Sequence, residues 1–259
     1  MAKIIIMIGL SLLMASCGVY KSSLSVHGVI PRKGYVFIKK IVNLKKCVKD
    51  KCTHGTLTSV GSGFIIKITH RGSFIATAAH VCSTDKKELL SIVSVIETLK
   101  VETLDGSWYD AKVLDYDRNL DACVIFARNL VNGVEEVPLS QNAPKEGDKV
   151  YNIASPYGIH YNNIVPIFEG RYFGETGLKA FYSFEAAPGS SGSMILNEDG
   201  ELIGLLHSVY YKMQSVVVSA RYENLIQFLQ NVLIQHSTSH MKELEEYQKY
   251  NGIYRYPKL

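Results

Sequence analysis

From about residue 34 the chain alternates between short apolar runs and brief polar breaks. The runs YVFIKKIVNL, GSGFIIKI, SFIATAAHV, ETLKVETL, WYDAKVLDYD and DACVIFA are rich in Val, Ile, Phe and Tyr, with Gly, Asn and Asp between them. Such closely spaced runs predict strands, because β-branched and aromatic side chains suit a pleated, half-buried surface. A loop-rich break follows in RNLVNGVEEVPLSQNAPKEG. Six further runs come after it: DKVYNIASPYG, NIVPIFEGRYFG, AFYSFEAA, SMILN, ELIGLLHS and QSVVVSAR. Two six-segment halves of similar length predict an all-β chain of two tandem six-stranded antiparallel β-barrels, over residues 34–130 and 131–220. A helical period appears only near the end. It predicts a C-terminal helix over 221–235 with Leu225, Phe228, Leu229 and Leu233 on one face. Residues 236–259 read as a polar, tyrosine-rich tail, with a short helix expected around 240–248.

The opening stretch follows a different pattern. In MAKIIIMIGLSLLMASC one Lys precedes an apolar run, Ile4 to Met14, that is too short to span a bilayer comfortably and fits a signal peptide over residues 1–17. Its end, Leu13-Met14-Ala15-Ser16-Cys17, resembles the lipobox of bacterial lipoproteins, which implies lipidation at Cys17. Met14 stands where that motif usually has Leu, which leaves plain secretion as the alternative. Residues 18–33 read as a polar tether. The expected location is periplasmic, as a lipoprotein attached to the outer membrane, or else secreted and soluble. Membrane contact is expected only through the N-terminal lipid.

Export bears on the remaining cysteines, since disulfides persist outside the reducing cytosol. Cys47 and Cys52 look like two strand ends around a tight turn, where a bridge is geometrically plausible. Cys82 and Cys123 are expected to be two small buried hydrophobes, with a second bridge as the alternative. Neither pair has the spacing of a zinc site, and no metal or cofactor is expected. The net formal charge of +4 over 259 residues is modest and the lysines are scattered, so nucleic acid is not an expected partner.

Three motifs at strand ends carry candidate chemistry. FIATAAHVC has small residues packed before His80, DRNLDACVIF sets Asp121 ahead of an apolar strand, and PGSSGSM flanks its serines with Gly189 and Gly192. Each alone is weak, and Ser190, Ser191 and Ser193 begin as equal candidates for a nucleophile. Asp117 is the rival acid, but no apolar strand run follows it directly. The order His, Asp, Ser, with GSGFII upstream and DGELIG downstream, is what gives the set its weight.

With these pieces in that order, the chain resembles the trypsin-like serine peptidases of the chymotrypsin fold, most closely their HtrA-like secreted bacterial branch. Gly147-Asp148-Lys149-Val150 and Ser155-Pro156-Tyr157-Gly158 extend the likeness, which covers about residues 34–232. The resemblance implies a chymotrypsin-like pair of barrels and a serine endopeptidase acting on protein or peptide substrates. It makes Ser191 the nucleophile, His80 its base and Asp121 the acid that orients His80, with the backbone N–H groups of Gly189 and Ser191 as the oxyanion hole. A catalytically silent peptide-binding module on the same fold is the alternative reading.

The resemblance also points to specificity-pocket residues. Glu185 lies six before Ser191, where basic-specific relatives carry their pocket acid. Glutamate-specific relatives place a histidine two residues after the Gly of the IG pair. Here His207 falls three after Gly204, which puts Leu206 at the pocket position unless the strand bulges. The HtrA-like branch usually carries a PDZ domain, which the residues after 235 do not suggest, so a simpler, monomeric hydrolase is expected.

Overall fold

The computed structural model describes residues 30–48, 51–84, 94–161 and 163–251. The candidate leader with Cys17, and most of the expected tether, lie outside the described residues. A short 3-10 turn at Arg32–Gly34 leads into the first strand.

Each predicted run contains a strand. In the first half these are β1 (Tyr35–Val48), β2 (Lys51–Thr69), β3 (Gly72–Ala78), β4 (Ser94–Thr103), β5 (Trp108–Asp117) and β6 (Ala122–Arg128). In the second they are β7 (Lys149–Ile153), β8 (Ile167–Thr176), β9 (Lys179–Ser183), β10 (Met194–Leu196), β11 (Leu202–Tyr210) and β12 (Met213–Ala220). The strands close into two antiparallel barrels, ordered β1-β2-β3-β6-β5-β4 and β7-β8-β9-β12-β11-β10. Both barrels therefore wind the same way. Closure removes the sheet edges that would otherwise offer unpaired N–H and C=O groups to another chain.

The burial pattern explains the runs. β3 is buried along its whole length and β6 nearly so, which is why SFIATA and ACVIFA are continuously apolar rather than alternating. Ile38, Phe64, Ile75 and Ile125 fill the first barrel, and Tyr182, Met194, Ile195 and Leu196 the second. The connecting segment binds both barrels. Val137 N–H donates to Ile65 O at 2.8 Å, and Leu202 N–H donates to Pro138 O at 2.7 Å.

Two disulfides are present among the described residues. Cys47 and Cys52 face each other in the β1–β2 register and are bonded, as their spacing suggested. Cys82 and Cys123 are also bonded, which corrects the expectation of two separate buried hydrophobes. The reason is the fold: β3 and β6 pair with Thr77 opposite Cys123, and the helical turn α1 (Ala79–Cys82) that follows β3 returns Cys82 to that strand.

The C-terminal helix α2 spans Tyr222–Asn251, well beyond the expected end at 235. No Gly or Pro interrupts the sequence until Gly252, so nothing local stops it. Its packed face is also rotated from the predicted one. Leu225 and Leu229 are buried as expected, but Ile226 and Val232 join them, while Phe228 and Leu233 are only half-buried. The Tyr222 hydroxyl donates to Ser140 O at 2.6 Å and fixes the helix start to the inter-barrel segment.

Candidate active site

At the end of β3 the chain turns into α1, so His80 emerges where a buried strand meets solvent. Asp121 grips this turn three ways. Its backbone carbonyl accepts the Ala79 N–H at 3.1 Å, and Oδ1 accepts the His80 N–H at 3.0 Å. Oδ2 lies 2.7 Å from His80 Nδ1. An anionic carboxylate can only accept, so Nδ1 carries the hydrogen and Nε2 keeps the lone pair of a base. Asp121 has a φ of 48°, in the left-handed region that Asp tolerates better than most residues. The Lys40 ammonium supports α1 from the barrel side, donating to His80 O at 2.9 Å, and burial holds its pKa below the usual lysine value.

Asp117 does something else. Its Oδ1 accepts the N–H groups of Asn119 and Leu120 at 2.7 and 3.1 Å, an Asx turn that carries the chain from β5 to β6.

The three serines also separate. Ser190 is buried and its hydroxyl accepts the Ala187 N–H at 3.4 Å. Ser193 is buried and accepts from Asn152 Nδ2 at 2.7 Å. Ser191 is half-exposed, and among the described residues its hydroxyl makes no hydrogen bond, to His80 or elsewhere. The backbone sorts in the same way. The N–H groups of Ser190, Gly192 and Ser193 donate to Ala187 O, Leu206 O and Ser190 O at 2.9, 2.7 and 3.1 Å. Those of Gly189 and Ser191 have no acceptor among the described residues, so two donors are left open beside the free hydroxyl. The turn needs glycine on both sides of the pair. Gly189 and Gly192 have φ of 102° and 86°, and a Cβ on them would strike Ser155 O and Ser62 O respectively.

Ser62, in the GSGF motif of β2, ties this turn to the first barrel. Its N–H donates to Ser191 O at 2.8 Å, and its hydroxyl donates to Gly189 O at 2.9 Å while accepting the Ser155 N–H at 3.1 Å. Its carbonyl accepts from Thr77 Oγ1 at 2.7 Å. From the other side, the Tyr157 N–H donates to Pro188 O at 2.6 Å. Residue types and spacing did not single out Ser62. Its setting between Gly61 and Gly63 was the available signal, since paired glycines mark a close backbone approach.

The three candidate pocket residues lie in different settings. Glu185 is exposed in the segment after β9. Leu206 is buried, with its N–H on Ser193 O at 2.9 Å. At His207 the β11–β12 pairing slips by one residue: Leu206 pairs with Ser219 and Ser208 with Val218. The strand thus bulges at His207, whose Nδ1 lies 4.0 Å from Asp121 Oδ2, with 13% of the side chain exposed. Burial lowers the His207 pKa, as do Lys179 and His80, against the opposing pull of Asp121.

Known proteins share this fold and part of this sequence. The model of the trypsin-like peptidase domain matches residues 61–205. A probable periplasmic serine endoprotease DegP-like of Buchnera aphidicola is 25% identical over 65% of this chain and 35% of its own length. Serine protease HTRA1 of Xenopus tropicalis is 30% identical over 56% of this chain and 30% of its own. Periplasmic serine endoprotease DegP of Escherichia coli K12 is 29% identical over 57% and 29%. The chain thus spans about a third of the length of the curated relatives it matches. The crystal structure of the serine endoprotease from Yersinia pestis superposes with a TM-score of 0.58 at 18% identity, covering 81% of this chain and 67% of that one, and bears on the chymotrypsin-like fold. With its barrels in that arrangement and the family match running from the GSGF motif through the serine turn, the chain belongs to the family of trypsin-like peptidase domains.

Proposed function

We propose that the chain is an exported serine endopeptidase, with Ser191 as nucleophile, His80 as general base and acid, and Asp121 as the group that orients His80. One observation carries the reading. His80 is held at two points by Asp121, and two uncommitted N–H groups lie beside a free Ser191 hydroxyl.

In this reading Ser191 Oγ attacks the scissile carbonyl carbon as its proton passes to His80 Nε2. The negative charge that develops on the carbonyl oxygen is taken up by the N–H groups of Gly189 and Ser191. Each such donor is worth roughly 10²–10³ in rate because it is fixed before charge appears. Collapse of the intermediate breaks the C–N bond, and His80 returns the proton to the leaving amine. Water, activated by His80, then hydrolyses the acyl-enzyme. Contact between Ser191 and His80 closes when substrate fills the cleft, as catalytic hydrogen bonds commonly tighten in the bound state.

Export is supported by the leader-like residues 1–17, by relatives named as periplasmic, and by two disulfides of the kind an oxidising compartment maintains. Cys17 is the proposed lipidation site.

The test is hydrolysis of an unfolded protein substrate by wild type, His80→Ala and Ser191→Ala. Cleavage by wild type alone is expected. Binding without cleavage by all three would favour the silent peptide-binding reading. Fractionation of expressing cells, with Cys17→Ser as the comparison, tests the anchor: the variant is expected to leave the membrane fraction.

A further inference from the structure

Barrel closure covers only part of β2. Its pairing with β3 begins at Phe64, whereas its pairing with β1 continues without a slip to Lys51 opposite Val48. Residues 51–60 therefore project past β3 as the outer strand of a hairpin, and all ten are exposed. Ser62 shows which way the free edge faces. In an antiparallel ladder, successive residues direct their N–H and C=O groups to opposite sides. The Ser62 N–H points away from β1, to Ser191 O at 2.8 Å. Val60, Thr58, Thr56, His54 and Cys52 share that direction, and their N–H and C=O groups have no backbone partner among the described residues. An open edge thus starts at the serine turn and leads away from it. The Cys47–Cys52 bond staples the far end, so the edge is held extended before anything binds.

The hairpin is also cationic. Neither β1 nor β2 contains an acidic residue. Lys39, Lys45, Lys46 and Lys51 make no ion pair among the described residues, and His54 lies opposite Lys45. Glu97, on the adjoining β4, sits opposite Val42 and accepts the Thr84 N–H at 3.2 Å. Like charge repels a second copy of this edge, a common protection for open strands. An acidic strand instead meets both the free backbone groups and the unpaired ammonium groups.

We propose that the hairpin binds an acidic, extended segment of the substrate on the leaving-group side of the scissile bond, added as a strand along Cys52–Thr58. This rests on the Ser191–His80–Asp121 reading above. His80 returns a proton to the leaving amine, so the leaving segment departs on the side of α1. β2 lies on that side: a Cβ on Gly61 would strike Val81 of α1 and press on Ser191 O. β2 runs towards Ser191 and the leaving segment runs away from it, so the two are antiparallel. Thr58 stands four residues before Ser62, about 14 Å of strand. The contacts therefore begin several residues past the cut and touch no reacting atom. Binding there lowers KM and leaves kcat near its value, because ground state and transition state are held alike.

The test uses the full chain and three peptides that share a sequence cleaved by wild type in an unfolded protein. One continues past the scissile bond for about ten residues of alternating Glu and Thr, enough to span the edge. The second carries Lys in place of Glu, and the third stops just past the bond. At low salt the Glu peptide should have a KM about tenfold below the Lys peptide, as three exposed ion pairs can supply, and added salt should narrow the gap. Combined Lys45→Ala, Lys46→Ala and Lys51→Ala substitution should remove the gap. Thr58→Pro deletes one outward N–H at an edge position, where proline is tolerated, and should raise KM for the Glu peptide. Both variants should cleave the short peptide as wild type does. Equal KM values for the Glu and Lys peptides, a gap that survives the lysine substitutions, or an unaltered KM in Thr58→Pro would overturn the inference. If wild type cleaves nothing, the endopeptidase reading fails instead. The site is then judged by fluorescence anisotropy of the labelled Glu-Thr segment: tighter binding to wild type than to the lysine variant supports it, and equal binding overturns it.

Discussion

The Ser62 hydroxyl donates to the Gly189 carbonyl at 2.9 Å, so a residue of the first barrel holds the turn of the second that carries Ser191. Because the same hydroxyl accepts the Ser155 N–H, its loss strands two buried backbone groups. Ser62→Ala should cost about 1–3 kcal/mol of stability. It should also lower kcat more than it raises KM, since the Gly189 N–H would lose its fixed direction while the outer cleft stays as it was. Thermal unfolding and steady-state kinetics on the same preparation check both parts.

Asp121 and Asp117 lie four residues apart and have different work. Asp121→Asn should leave the fold intact and lower kcat by roughly 10⁴, because an amide can present an N–H to His80 Nδ1 and trap the wrong tautomer. Asp117→Asn keeps a side-chain oxygen for the Asn119 and Leu120 N–H groups, and should leave kcat within a few-fold of wild type. Comparable losses in the two variants would contradict the assignment.

The Cys82–Cys123 disulfide joins the turn two residues after His80 to the strand two residues after Asp121. It closes a sequence separation of 41 residues, and for a loop of that size the chain-entropy contribution is about 4 kcal/mol. Replacing both cysteines with Ala should therefore lower the unfolding temperature clearly and reduce kcat, because α1 loses one of its ties. Replacing Cys47 and Cys52 should affect stability less, since that loop is short, and leave kcat unchanged. Paired melting curves and rates distinguish the two bridges.

His160 supplies a pH dependence of stability. Its ring stacks on Phe37 with centroids 5.4 Å apart, its side chain is 4% exposed, and Nε2 is 3.4 Å from Glu102 Oε2. Burial lowers its pKa from the ordinary 6.5. The unfolded chain therefore binds this proton more readily than the folded one, and stability is lost as pH falls below about 6.5. Burial also raises the Glu102 pKa above 4.5, which works the opposite way just above that value. His160→Phe keeps the stacking and removes the titration. Its unfolding temperature should match wild type near pH 8 and exceed it near pH 5, which a pH series of melts reads directly.

The strands were legible because each packs at least one face into a closed barrel, and short apolar runs between Gly, Asn and Asp record that packing. The length of α2 was not. Its apolar period fades after Leu233, and helix beyond that point leaves only the absence of breakers as a trace. The Cys82–Cys123 bond was hidden because the β3–β6 pairing, rather than any spacing along the chain, brings the two together. The order of His80, Asp121 and Ser191 could be read, and so could the two glycines that flank the serines, though not that both take positive φ. The direction of His207 could not, because one unpaired residue in β11 decides it and counting from Gly204 does not reveal a bulge. Ser62 escaped for a related reason: the partners of its hydroxyl lie in the other barrel.

Labelling with a fluorophosphonate followed by peptide mapping tests the central claim most directly. The probe needs an activated serine, a working base and an oxyanion site at once. The account predicts a single adduct on Ser191 in wild type, none in Ser191→Ala, and strongly slowed labelling in His80→Ala. An adduct on Ser190 or Ser193, labelling that survives Ser191→Ala, or an unlabelled wild type would contradict it.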